Sequence, residues 1–220
     1  MIRVVIADDQ PLVRAGLGVL LRGEADIEVV AEVADGAAAV EAARTQRADV
    51  VCMDVRMPGV DGIAATRELC GPGVDDPVPV LILTTFDVDD YLFGALEAGA
   101  SGFLLKDAEP ATVVEAVRSV AAGNGTLADS LTKRVVEEML TRRRTQPETA
   151  ARASELLTAR ELEILLHLAQ GMSNEEIART LVVEVSTVKS HLARMLPKLG
   201  VRSRLQAVVW AYQNRVVDVG

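Results

Sequence analysis

Four of the five short apolar runs in the first half of the chain end in residues able to do chemistry. Asp8-Asp9 follow the first run, Asp54 the third, Thr84-Thr85 close the fourth, and Lys106-Asp107 follow the fifth. Brought to one rim, they form a set of carboxylates, a hydroxyl and an ammonium. Three carboxylates close together repel one another, and apolar surroundings raise their pKa values. A divalent cation resolves that conflict, and hard oxygen ligands completed by water and a phosphate suit Mg²⁺. Such a cluster leaves one carboxylate as a nucleophile toward a phosphoryl group. A cation, a lysine and a hydroxyl are then suited to neutralise the equatorial oxygens. Taken singly, each residue has a plainer reading. Asp8 or Asp9 could cap a helix that has Pro11 at its first position, and Asp61 is expected to be such a cap. Thr84 could be a strand-end hydroxyl and Lys106 a solvated charge. Jointly, the plain readings require four strand ends to carry suitable groups by accident.

The elements that must position these groups are legible from periodicity. Runs at Arg3–Ala7, Ile27–Val33, Val50–Met53, Val78–Leu83 and Gly102–Leu105 are rich in Val, Ile and Leu. They show little polar alternation, as expected of strands covered on both faces. Between them lie helical patterns: Leu12 to Leu21 ahead of Gly23, Ala37–Arg44, Ile63–Leu69 ahead of Gly71, and Tyr91–Ala98 ahead of Gly99. A fifth covers Ala111–Ala122, and the glycines stand where a helix would close. Five strands alternating with five helices predict a doubly wound, flavodoxin-like parallel sheet with right-handed crossovers. In such a sheet, ligands bind outside the carboxyl ends of the strands where strand order reverses.

The net charge of −9 over 220 residues conceals a division. Residues 1–122 hold 9 Lys and Arg against 21 Asp and Glu, whereas residues 123–220 hold 14 against 11. Within the second part, Ser186 to Arg204 contains five cations and no acid. An acidic half joined to a mildly basic half predicts two domains with different partners. Two cysteines cannot build a disulfide framework, and no apolar run reaches the length of about 20 residues that spans a bilayer. The N-terminus lacks the apolar stretch of a signal peptide, so the expected location is cytoplasmic, with no membrane partner.

Residues 1–122 resemble the receiver domain of two-component response regulators. The matching pieces are Asp8-Asp9, the run from Asp54 to Gly62, Leu83-Thr84-Thr85, and Phe103-Leu-Leu-Lys106-Asp107. The resemblance implies that Asp54 accepts a phosphoryl group from a sensor histidine kinase. It also implies that Asp9 binds Mg²⁺ directly, with Asp8, Asp54 and the backbone carbonyl of Arg56 completing the protein ligands. Lys106 would pair with the phosphoryl oxygens, Thr84 would move toward them, and Phe103 matches the aromatic position that turns inward on activation.

Residues 123–154 are expected to form a linker, with a helix at 130–142. Beyond it the pattern is helical only. Thr158-x-x-Glu161, Ser173-x-x-Glu176 and Ser203-x-x-Gln206 match capping boxes. They predict helices near 158–170, 174–181 and 203–214, with a fourth near 185–199 joined to the second as a helix-turn-helix. Residues 155–220 form this domain. It resembles the LuxR-type helix-turn-helix of NarL/FixJ-class response regulators through Leu157-Thr-Ala-Arg-Glu161, the run Ala169 to Ala178, Ser186-Thr-Val-Lys-Ser-His191 and Lys198-Leu-Gly200.

That resemblance implies that the helix near 185–199 enters the major groove of double-stranded DNA, with Lys189, Ser190 and Ala193 facing the bases. Arg194, Lys198, Arg202 and Arg204 are expected to contact phosphates. His191 and Trp210 read as packing residues. Glu184 stands where Ser or Thr usually caps this helix. Pro197 inside it removes an N–H, predicting a kink or early unwinding.

Together these readings describe a transcriptional regulator activated by phosphorylation of Asp54, which favours a homodimer and DNA binding. It is not an enzyme beyond its own phosphoryl transfer and slow autodephosphorylation. One rival is an atypical regulator whose receiver dimerises without phosphorylation. Another is a flavodoxin-like hydrolase using Asp54, for which no general acid or base beyond Asp9 is evident.

Overall fold

Branched aliphatic runs bounded by Gly, Pro and Asp form a parallel sheet, and the amphipathic stretches between them form its covering helices. The computed structural model describes residues 1–85, 89–123, 126–127, 156–201, 203–214 and 216. The expected helix at 130–142, most of the linker and Arg202 lie outside the described residues. The chain divides into two compact units, Met1–Leu127 and Ala128–Gly220.

In the first unit the strands are β1 (Ile2–Ala7), β2 (Ile27–Val33), β3 (Val50–Met53), β4 (Val80–Thr84), β5 (Gly102–Leu105) and β6 (Thr126–Leu127). The helices are α1 (Pro11–Arg22), α2 (Gly36–Thr45), α3 (Gly62–Cys70), α4 (Asp89–Glu97) and α5 (Pro110–Ala121). Strand order is β2-β1-β3-β4-β5-β6, and every pairing is parallel. The order reverses between β1 and β3, which puts the binding crevice at the carboxyl ends of those two strands.

Strands β3 and β4 are buried along their whole length, as the unbroken apolar runs predict. Strand β2 departs from that expectation, because it lies at one edge of the sheet: Ile27 is buried, Glu28 and Glu32 are exposed and its other residues are half-buried. The two-residue β6 is an addition to the five expected strands; it pairs with β5 beside Gly102 and Phe103. Asp35 and Asp61 cap α2 and α3 by accepting from Ala38 N and Ala64 N, and Pro11 and Pro110 open α1 and α5. Of the three glycines read as helix closures, only Gly99 is left-handed, at φ 102°. Gly23 continues in right-handed geometry and Gly71 is extended. Space explains Gly71, where a Cβ would come within 2.4 Å of the Arg67 carbonyl oxygen.

The second unit contains α6 (Ala159–Ala169), α7 (Asn174–Leu181), α8 (Val185–Leu199) and α9 (Arg204–Gln213). Their boundaries agree with the expected spans to within a residue or two. Thr158-Glu161 and Ser173-Glu176 form complete reciprocal capping boxes, and the Ser203 hydroxyl accepts from Gln206 N. Ile164, Leu165, Leu168, Ile177, Val188, Leu192 and Met195 close the core, and Trp210 packs partly buried against it. The Tyr212 hydroxyl donates to the Ala169 carbonyl at 2.6 Å, tying α9 to the end of α6.

Candidate functional site

The acidic site forms where β1 and β3 run side by side and hand their next residues to the crevice. Asp54 N donates to the Ala7 carbonyl at 2.8 Å, so the ladder between the two strands continues to the first site residue. Asp8 is held by its own N–H on the Val33 carbonyl, and its Oδ1 accepts from Gln10 N at 2.9 Å. Carboxylate oxygens of Asp8, Asp9 and Asp54 all lie within 4.8 Å of one another. Asp8 and Asp54 are buried, whereas Asp9 is exposed.

Lys106 reaches this cluster from the end of β5. Its N–H donates to the Thr84 carbonyl at 2.8 Å, which sets the start of its side chain beside β4. The ammonium lies 2.6 Å from Asp8 Oδ2 and 2.9 Å from Asp54 Oδ2. Burial pushes the Asp54 carboxyl above its ordinary value; Lys106 opposes this, while the Asp8 charge adds to it. Burial acts to lower the Lys106 value, but the hydrogen bonds and charges of Asp54 and Asp8 outweigh it, and the net direction is upward. Three carboxylates therefore face one ammonium. That excess of hard negative oxygen fits a divalent cation.

Thr84 is buried at the end of β4, and Phe103, three residues before Lys106, is fully buried on β5 opposite Ile82. Arg56 follows Asp54 by two residues, with its side chain exposed. The loop from Asp54 to Asp61 folds back so closely that a Cβ on Gly62 would lie 1.9 Å from the Asp54 carbonyl oxygen. Gly62 N donates to the Val55 carbonyl, closing that loop. Sequence reasoning used Gly62 only as part of a motif, since the approach is set by the fold of the loop and not by helical periodicity.

The second candidate site is the outer face of α8. Ser186, Lys189, Ser190, Ala193, Arg194, Pro197 and Lys198 are exposed, and Val188, Leu192, Met195 and Leu199 are buried behind them. His191 is half-buried. Glu184 occupies the N-cap position with no side-chain cap bond. The expected early unwinding at Pro197 does not occur: the helix continues to Leu199 and closes at a left-handed Gly200. The missing N–H falls in the last turn, where few bonds remain to be lost, and the residue it leaves unpaired, Ala193, is exposed to water.

Two cations expected to meet phosphates have partners within their own domain. Lys198 Nζ lies 2.7 and 2.6 Å from the two oxygens of the buried Glu161. The Arg204 guanidinium donates to Asn174 Oδ1 at 2.9 Å and to the Met172 carbonyl. Both are held by their own domain because a partly buried charge is stabilised by a fixed internal partner. Among the cations of α8, Lys189 and Arg194 remain directed to solvent.

Comparison with known families settles what these two sites belong to. The response regulator receiver domain family matches residues 4–118, and the luxR family of bacterial regulatory proteins matches residues 155–211. The chain is a response regulator. It is similar to the transcriptional regulatory protein LiaR of Bacillus subtilis (strain 168), at 40% identity over 99% of this chain and 100% of that protein. It is also similar to the nitrate/nitrite response regulator protein NarP of Escherichia coli (strain K12), at 37% identity over 97% of this chain and 95% of that one.

Among solved structures, the response regulator ChrA of a heme-sensing two-component system matches at 42% identity and a TM-score of 0.53, covering 98% of both chains. A structure of RcsB dimers bound to DNA matches at 25% identity and a TM-score of 0.56, covering 94% of this chain and 97% of that one. This response regulator thus joins a receiver domain of flavodoxin-like architecture to a LuxR-type DNA-binding domain concerned with transcription. Among its described residues, no helix is long and apolar enough to cross a membrane.

Proposed function

We propose that this cytoplasmic response regulator takes a phosphoryl group on Asp54 from a sensor histidine kinase, and that the modified form dimerises and binds double-stranded DNA. The observation that carries the reading is the Lys106 ammonium between Asp54 and Asp8, at 2.9 and 2.6 Å, with the exposed Asp9 carboxylate beside them. Residues 1–122 act as the receiver, 123–154 as the linker, whose β6 adds to the edge of the receiver sheet, and 155–220 as the DNA-binding part.

In the transfer, an Asp54 carboxylate oxygen forms a bond to phosphorus as the bond from phosphorus to the kinase histidine nitrogen breaks. The electron pair of that bond leaves with the imidazole, and an acyl phosphate remains on Asp54. Lys106 holds the carboxylate anionic before transfer and pairs with the phosphoryl oxygens after it. Asp8, Asp9, Asp54 and the Arg56 carbonyl would hold Mg²⁺, which when bound supplies neutralisation of phosphoryl charge. Thr84 on β4, the strand next to β3, and Phe103 on β5, the strand beyond it, would carry the change to the outer face, shifting an equilibrium between two conformations. No separate substrate is turned over; slow hydrolysis of its own acyl phosphate resets the protein.

Asp54→Asn tests the assignment. The amide is nearly isosteric, so the fold should survive. Intact-mass measurement after treatment with acetyl phosphate and Mg²⁺ should show one added phosphoryl group on the parent chain and none on the variant. Equal labelling of both would overturn the assignment.

A further inference from the structure

Ser190 follows Lys189 on the exposed side of α8, three residues before the exposed Ala193, and its hydroxyl donates to the Ser186 carbonyl at 2.9 Å. A serine hydroxyl has one proton and two lone pairs. With the proton committed to the helix backbone one turn back, the lone pairs are what it offers outward. We propose that Ser190 reads DNA as an acceptor only, choosing the strand that presents an exocyclic amine at its position. This rests on the reading of α8 as the helix that enters the major groove.

The chemistry of the groove makes the choice specific. Adenine N6 and cytosine N4 are its amine donors, while guanine O6 and N7 and thymine O4 are acceptors. Each base pair carries one amine, so an acceptor-only hydroxyl does not separate A·T from G·C. It separates adenine or cytosine from guanine or thymine on the contacted strand. Facing guanine or thymine, the hydroxyl would either oppose acceptor to acceptor or give up its bond to Ser186.

The neighbouring side chains complete a short pattern with three different chemistries. The Lys189 ammonium is a donor and matches the paired acceptors of guanine. The Ala193 methyl matches the C5 methyl of thymine. Lys189 and Ala193 are four residues apart, about 6 Å along a helix at roughly 1.5 Å per residue. At about 3.4 Å per base pair, that distance spans about two steps. Each half-site should therefore hold a guanine, an amine-bearing base of either kind and a thymine within about three base pairs.

The test is selection of bound sequences from a random duplex pool by the full chain, with acetyl phosphate and Mg²⁺, alongside Ser190→Ala. Alanine is a strong helix former at an exposed position, so the variant should fold. The parent chain should enrich adenine and cytosine together over guanine and thymine, by about fivefold, at one position near an enriched guanine. Ser190→Ala should lose that preference and keep the guanine. In the selected site, a base analogue lacking the exocyclic amine should weaken binding of the parent chain about fivefold and leave Ser190→Ala unchanged. Enrichment of guanine or thymine at the Ser190-dependent position would overturn the proposal while leaving α8 as the reading helix. So would indifference of the parent chain to the missing amine. No enrichment of any sequence, with or without phosphodonor, would overturn the assignment of α8 as well.

Discussion

Asp54 and Glu161 are both buried carboxylates beside a lysine, and they differ in how completely their partners neutralise them. Asp54 shares Lys106 with Asp8, and burial leaves its carboxyl raised. Glu161 has both its oxygens on Lys198 and also accepts from the Thr158 backbone N–H and hydroxyl. Burial alone would raise its pKa, but these partners outweigh burial and hold it at about 2. A carboxyl depressed in the folded state contributes stability that is present above its ordinary value of 4.5 and lost as pH falls toward about 2. At about 1.4 kcal/mol per unit of pKa the shift would be worth about 3 kcal/mol, and solvent screening at the exposed Lys198 reduces it to on the order of 1–2 kcal/mol lost from the second domain over that window. Glu161→Gln can keep the cap bond but not the ion pair. Urea unfolding of this variant should show lower stability at pH 7 and a flatter acid limb between pH 4.5 and 2; an unchanged acid limb would assign the sensitivity to other carboxyls.

At the scale of elements, the loop after β3 decides where Asp54 points. A side chain at Gly62 would collide with the Asp54 carbonyl oxygen, so Gly62→Ala must push the loop and α3 apart. Overpacking of this kind costs on the order of 1–3 kcal/mol. We expect a lower melting temperature for the receiver and a large loss of acetyl-phosphate labelling, read by calorimetry and intact mass; unchanged labelling would show that the loop can yield without moving Asp54. Helix α8 is stable for a different reason. Its buried stripe of Val188, Leu192, Met195 and Leu199 outweighs an N-cap without a side-chain bond and a proline in the last turn. On its open face, Lys189→Ala should weaken the cognate site by about 1–3 kcal/mol more than random DNA, whereas Arg194→Ala should weaken both alike and reduce the salt slope by about one. Salt titrations of both variants on both DNAs distinguish the two roles, and equal losses for Lys189→Ala would move it to the phosphate group.

For the whole molecule, the division of charge matches the division into domains: the acidic half carries the carboxylate cluster, and the basic half is the LuxR-type domain, with Lys189 and Arg194 exposed on α8. Coupling between them needs a group that senses the modified aspartate without taking part in its chemistry. We propose Thr84 for this role: it is buried at the end of β4 with its carbonyl bonded to Lys106 N. Thr84→Ala should take up phosphoryl groups to the extent of the parent chain, because Asp54, Asp8, Asp9 and Lys106 remain. Light scattering should nevertheless show several-fold weaker phosphorylation-dependent dimerisation. Normal phospho-dependent dimers of the variant would remove Thr84 as the sensor.

What the sequence determined by itself was what local periodicity and residue type can encode. Apolar runs ending in Asp8-Asp9, Asp54, Thr84 and Lys106, together with helices opened by Ser or Thr three residues before Glu or Gln, specified the strands, most helix boundaries and the acidic cluster. Each of those signals depends on neighbours within a few residues. Tertiary structure alone decided the exposure of β2, because edge position is a property of strand order and not of composition. It decided the conformations of Gly23 and Gly71, which depend on where the chain goes next. It also decided the fate of two cations. Lys198 meets Glu161 across 37 residues and Arg204 meets Asn174 across 30, partners that only folding brings within hydrogen-bonding reach. A charge is legible in sequence, but the group that neutralises it is selected by distance in space, and over such separations periodicity carries no record of that distance.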